Sequence, residues 1–168
     1  RWYVGCGIYR SVWLHMASAV SAAPHGIRAV TAALDGSSAV VEVSTALTGT
    51  ADSVTYELAD AEGQVLATAE GLGTVQLAAN GITPWTPETP ALYTLRVTVP
   101  ANGTADTAEQ RIGIRTIQVS SKTGLLLNGQ PRTMKGGCIH HDLGILGAAD
   151  HAAAERRRIR LMKESGFD

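Results

Sequence analysis

Between residues 24 and 119 the chain alternates apolar and polar positions in short runs. Val41, Val43, Thr45 and Leu47 share one side of such a run. Val54, Tyr56 and Leu58 share one side of another, as do Tyr93, Leu95, Val97 and Val99. A period of two sends successive side chains to opposite faces, the signature of a strand with one face buried. The pattern predicts strands over 26–34, 38–48, 52–60, 63–69, 72–79, 91–99 and 107–119. Turn-forming clusters separate most of them: Asp35-Gly36-Ser37-Ser38, Gly49-Thr50-Ala51-Asp52, Ala61-Glu62-Gly63 and Asn80-Gly81. Pro24-His25-Gly26 marks the way into the first. Seven short strands within about 100 residues have the size and spacing of an immunoglobulin-like sandwich. The last run changes parity, with Ile112 and Ile114 even and Ile117 and Val119 odd, which predicts a bulge or bend near Arg115-Thr116.

The flanks read differently. After a turn at Gly5-Cys6-Gly7, Ile8, Val12 and Leu14 alternate with Tyr9, Ser11, Trp13 and His15, a strand pattern. A single strand needs a sheet to join. Downstream, Leu125-Leu126-Leu127 leads into Asn128-Gly129, the strongest short hairpin signal, with a return limb from Gln130 to Lys135. Gly136 to Asp142 reads as a short strand ending in polar residues. Asp150 can cap a helix over about 151–165, ended by Gly166. On a wheel, Arg156, Arg157, Arg160, Lys163 and Glu164 take one half, and Ala152, Ala154, Ile159, Leu161 and Met162 the other. Strand, amphipathic helix and second strand open a βα repeat, and one such unit cannot bury its own apolar face. The expectation is a chain cut from a longer one at both ends.

Composition narrows the function classes. The chain has 168 residues, 45% apolar and 17% charged, enough apolar side chains for a core. A net charge of −1 gives no global attraction to nucleic acid or acidic membrane. No apolar run reaches the length of a bilayer span. Two cysteines, Cys6 and Cys138, form neither a disulfide framework nor a zinc pattern, and read as packed free thiols. The compartment stays open.

Motifs along the chain resemble glycoside hydrolase family 2, the β-galactosidases, β-glucuronidases and β-mannosidases. Gly5-Cys6-Gly7-Ile8-Tyr9-Arg10-Ser11-Val12-Trp13-Leu14 is similar to the last strand of that family's sugar-binding jelly roll. Trp85-Thr86-Pro87-Glu88-Thr89-Pro90-Ala91-Leu92-Tyr93 is similar to its sandwich motif, and Gly113-Ile114-Arg115 to the exit strand. Leu127-Asn128-Gly129-Gln130-Pro131 resembles the hairpin leading into the catalytic barrel, and His140-His141-Asp142-Leu143-Gly144 the loop after barrel strand one. Leu161-Met162-Lys163-Glu164-Ser165-Gly166-Phe167 resembles the first barrel helix and the next strand. Gly137-Cys138-Ile139 departs from the family's commoner Val-Asn-Arg. The resemblance implies an all-β fold, an immunoglobulin-like sandwich over 24–119. One jelly-roll strand within 1–23 and the first βα unit of a (β/α)8 barrel over 120–168 would flank it.

It also implies a retaining exo-β-glycosidase, a β-galactosidase preferred, whose acid/base and nucleophile carboxylates are not matched by any residue of this chain. Catalytic residues are therefore none here. His140 and Asp142 stand at the end of the expected strand one, where barrels build their sites, and are expected to line the sugar in the full-length enzyme. Without the resemblance they read as ordinary hydrogen-bonded barrel residues. His140 and His141 point to opposite faces of a strand, so no metal is expected, and no cofactor. Glu88, in a Pro-rich loop, reads as structural. Arg156-Arg157-Arg158 reads as a solvated helix face, and Trp13 and Trp85 as packing residues. The expected partners are a carbohydrate substrate and the rest of the same polypeptide, without nucleic acid or membrane. Homo-oligomerisation is left open. The competing reading is a free-standing sandwich module for binding or spacing.

Overall fold

The computed structural model describes residues 7–8, 11–101, 103–140, 142–149 and 151–168. Cys6, Tyr9, His141 and the expected cap Asp150 lie outside the described residues, as does most of the Gly5-Cys6-Gly7 turn. The chain divides into two compact units, one running Met16–Arg132, the other built from Thr133–Asp168 and the described residues up to His15.

The first unit is the sandwich. Strands β1 (Ser21–Asp35), β2 (Ser38–Thr48) and β5 (Val75–Ala79) form one sheet in the order β1-β2-β5. Strands β3 (Thr55–Ala59), β4 (Val65–Glu70), β6 (Tyr93–Ala101) and β7 (Thr104–Ile112) form the other, in the order β4-β3-β6-β7. All pairings are antiparallel. The alternating positions meet between the sheets. Val41 and Val43 of β2, Leu77 of β5, Tyr56 and Leu58 of β3, and Leu95, Val97 and Val99 of β6 are all buried. Packing apolar side chains from two inner faces is what a sandwich of this kind requires.

Three local devices fix the sandwich. The Tyr93 hydroxyl, at the start of β6, accepts the Thr83 backbone N–H at 2.8 Å. This is the tyrosine corner of immunoglobulin-like folds, in which a strand-start Tyr anchors the loop before it. The Asp60 carboxylate accepts N–H groups from Glu62 and Gln64, at 3.1 and 2.8 Å, and closes the β3–β4 turn. Ser38 donates to Asn80 Oδ1 at 2.8 Å, joining the start of β2 to the residue that follows β5.

The first strand starts earlier than its pattern predicts. Pro24-His25-Gly26 lies inside β1 as a bulge, not at its beginning. Pairing resumes on both sides, with Ser21 opposite Thr48 and Ile27 opposite Thr45. His25 takes a positive φ of 58°, and a Cβ on Gly26 would sit 2.8 Å from the carbonyls of Ala23 and Ala46. Proline suggests a boundary, but the backbone on its far side still has partners to satisfy.

The expected bend in the last strand is present and goes further. β7 stops at Ile112, Gly113–Thr116 turns away, and β8 (Ile117–Ser120) joins a separate small sheet with β9 (Gly124–Leu127) and β10 (Gln130–Pro131). Ile114 is fully buried, whereas Ile117 and Val119 are exposed. Asn128 and Gly129 both take positive φ, 51° and 74°, as a type I′ hairpin turn demands. The return limb pairs at Gln130 and Pro131, and the Arg132 N–H donates to the Leu125 carbonyl at 3.0 Å.

Around that bend the motif residues converge. The Trp85 N–H donates to the Ile114 carbonyl at 2.8 Å, and its own carbonyl accepts from Asn128 Nδ2 at 3.1 Å. The Arg115 guanidinium stacks 4.6 Å from the Trp85 ring centroid. The Thr116 N–H donates to Asn128 Oδ1, and the Arg115 N–H to Thr31 Oγ1. Arg132 pairs with Glu88 at 2.7 Å, and this hydrogen bond holds the Glu88 carboxyl below its ordinary value. Trp85 and Glu88 are thus packing and tethering residues. A Cβ on Gly113 would lie 2.7 Å from the Trp85 ring. Gly113→Ala must therefore displace the ring, and is expected to destabilise the sandwich by about 1–3 kcal/mol. Urea unfolding checks this, and an unchanged midpoint would show that the ring yields freely.

The expected strand over the described part of 8–15 does not form. Ile8, Val12, Trp13 and Leu14 are 77–86% exposed, so Trp13 is not a packing residue here. Alternation supplies a face to bury, but without a neighbouring strand the backbone has nothing to pair with.

Candidate functional site

The second unit carries the expected site. The predicted strand over Gly136–Asp142 is absent, because none of its described residues has a ladder partner. The helix expected after it is nevertheless present. The helix α1 (Ala152–Glu164) follows a short 3₁₀ turn at Gly144–Leu146. Gly166, at φ 89°, ends the helix. Its N–H donates to the Lys163 carbonyl at 3.0 Å and the Phe167 N–H to the Met162 carbonyl at 3.1 Å, a Schellman closure. The chain then returns to its start. The Asp168 N–H donates to the Lys135 carbonyl and the Lys135 N–H to an Asp168 carboxylate oxygen, both at 3.0 Å. Phe167 packs over Gly137, where a Cβ would meet the ring at 3.6 Å.

His151 occupies the N-cap position without a side-chain hydrogen bond, and Glu155 lies in the first helical turn. The wheel is only partly realised. Ala154 and Met162 are half-buried, while Ile159 and Leu161 remain 51% and 42% exposed.

His140 and Asp142 are brought to one point through their backbones. One arm of the Arg158 guanidinium donates to the His140 carbonyl at 2.8 Å, and the other to the Asp142 carbonyl. His140 is exposed and Asp142 half-buried. Arg158 also pairs with Glu155 one turn earlier, at 3.3 Å. Arg156 and Arg157 are exposed, as a solvated face requires, but Arg158 is not part of it, with a side chain only 26% exposed. Sequence reading grouped the three arginines together. The signal that separates them is Glu155 at i−3, which marks Arg158 as the paired one.

Cys138 is a free thiol and is exposed, not packed. Among the described residues, no group of three or more His, Cys, Asp or Glu could hold a metal ion. Among the described residues, no helix is long and apolar enough to cross a membrane.

The same architecture recurs in proteins of known class. A family model described as Glycosyl hydrolases family 2 matches residues 20–115. The beta-galactosidase BoGH2A of Bacteroides ovatus is 36% identical over 99% of this chain, and a putative beta-glucuronidase of Formosa agariphila is 30% identical over all of it. The chain spans 21% and 17% of the lengths of these relatives. A glycosyl hydrolase family 2 member from Bacteroides cellulosilyticus superposes with a TM-score of 0.90 at 31% identity, over 99% of this chain and 25% of that one. A Lactobacillus rhamnosus beta-glucuronidase gives a TM-score of 0.79 at 34% identity, over 89% of this chain and 25% of its own. The matched family region covers β1 to β7 and reaches the Trp85–Gly113–Arg115 cluster that closes them. On this sandwich, and on the motifs that run through it, the chain belongs to glycosyl hydrolases family 2.

Proposed function

We propose that this chain is part of a retaining exo-β-glycosidase that removes terminal sugars, with a β-galactoside as substrate. The assignment of 1–23 to the end of a sugar-binding jelly roll, 24–119 to the sandwich and 120–168 to the start of a catalytic barrel belongs to the same proposal. One observation carries it: the sandwich is followed in sequence by a helical unit whose post-helix residue Asp168 hydrogen-bonds back to Lys135. A spacing module has no use for such a unit, whereas a parallel barrel begins with one. The 36% identity to a beta-galactosidase supports the choice of sugar.

A retaining glycosidase needs two carboxyl groups about 5–5.5 Å apart across the scissile bond. The candidate segment offers one, Asp142. His140 and Asp142 are proposed to line the sugar, as hydrogen-bonding partners for its hydroxyls, and not to carry the bond-breaking chemistry.

The isolated 168-residue chain is accordingly expected to release no chromophore from nitrophenyl β-galactoside, β-glucuronide or β-mannoside. The complete gene product is expected to cleave the β-galactoside. Turnover by the pure chain, made in a host lacking its own β-galactosidase, would overturn the division of labour. A complete enzyme preferring the β-glucuronide would keep the reaction class and change the sugar.

A further inference from the structure

We infer that Arg158 is a positioning residue for the sugar-lining segment, acting through His140; the inference rests on the proposed role of His140. Its two guanidinium arms bind the carbonyls of His140 and Asp142, the residues on either side of His141. Two donors on one rigid plane fix the relative orientation of the two peptide groups they hold. A lysine ammonium in the same place is a point charge and lacks that geometry.

Arg158 is itself held. It sits in α1, with Glu155 one turn before it at 3.3 Å. Glu155 Oε1 is shielded from solvent and makes no hydrogen bond, so it acts on Arg158 by charge. The Glu155 side chain keeps 25% of its surface exposed, and the guanidinium beside its shielded oxygen offsets the water that this oxygen loses. The chain of support runs from helix, to guanidinium, to two carbonyls. The segment has no strand ladder of its own among the described residues, so these bonds replace one.

The consequence falls on catalysis more than on stability. A binding group must stay within a fraction of an ångström of its productive position, and a loose support costs rate before it costs fold. In the complete enzyme, Arg158→Ala is expected to lower kcat at least tenfold. Arg158→Lys should fall between Arg158→Ala and wild type. In a His140→Ala background, Arg158→Ala should add less than about twofold, because residues acting as one unit are not additive. Hydrogen exchange in the 168-residue chain gives a second readout. Arg158→Ala should speed exchange across 140–146 and leave 38–99 unchanged.

Wild-type kcat in a folded Arg158→Ala enzyme would overturn the inference. So would a full additional loss in the His140→Ala background, or exchange across 140–146 that does not move. If Arg158→Ala does not fold, Arg158→Lys carries the same test, and a Lys enzyme with wild-type kcat overturns the two-carbonyl geometry. If His140→Ala itself is fully active while Arg158→Ala is not, the failure lies in the sugar-lining role of His140, and the inference falls with it.

Discussion

Leu95→Ala is expected to cost the sandwich about 2–5 kcal/mol, the range for removing three buried carbons from a core that relaxes only in part. Leu95 has no exposed surface and lies on β6, which pairs on one side with β3 and on the other with β7. Leu58 stands directly opposite it on β3 and is equally buried. Any cavity there is lined from both sheets, with Val41, Val43 and Leu77 in the same core cluster. Typical domains are stable by about 5–15 kcal/mol in total, so the loss takes a large share. Urea unfolding of the 168-residue chain should show a lowered midpoint with an unchanged slope. Val119→Ala is the control. Val119 is 75% exposed, and its truncation should stay within about 0.5 kcal/mol. Equal, small effects from both substitutions would mean that the alternation does not mark the core.

That alternation was the most readable feature of the sequence. Tyr93, Leu95, Val97 and Val99 are buried as their period requires, and so are Val54, Tyr56 and Leu58. A strand with one buried face has its register written in its side chains. The same pattern misleads where no neighbour exists. Val12 and Leu14 alternate as cleanly, yet both are exposed and unpaired. Periodicity states which face a strand would bury, and only a partner makes the strand.

The long-range fastenings were not legible. The Tyr93 hydroxyl bond to Thr83 spans ten residues. The Trp85 ring over Gly113 joins two motifs that sequence inspection reads separately. Each needs the chain to be folded before the two residues can be seen as neighbours. The bend near Arg115-Thr116 was legible because a change of parity leaves no other way to keep Ile114 inside. In the candidate site, His140 and Asp142 were visible only through resemblance to a family. Arg158 stayed hidden inside a run of like charges, since a charge run does not reveal which member turns inward.

His140→Ala in the complete enzyme is expected to lower kcat and kcat/KM together, by roughly 2–4 kcal/mol in transition-state stabilisation, the cost of deleting one preorganised donor. The proposal places His140 at the end of a barrel's first strand, where barrels assemble their sites. A neutral imidazole can donate to or accept from a sugar hydroxyl, and an imidazolium can donate to one. As the ring distorts toward an oxocarbenium-like geometry, bonds to its hydroxyls strengthen, and a bond that tightens only then shows in kcat and not in KM alone. The structure adds a reason for rigidity, since the His140 carbonyl is held by Arg158 at 2.8 Å from a helix. Asp142→Asn, at the other held carbonyl, is expected to cost less. An amide can still accept one hydrogen bond from a hydroxyl, and only the charge is lost. Steady-state kinetics on the two variants, with circular dichroism to establish folding, separates the cases. A KM effect alone for His140→Ala would reduce its role to uniform binding, and a folded variant with wild-type kcat/KM would remove His140 from the site.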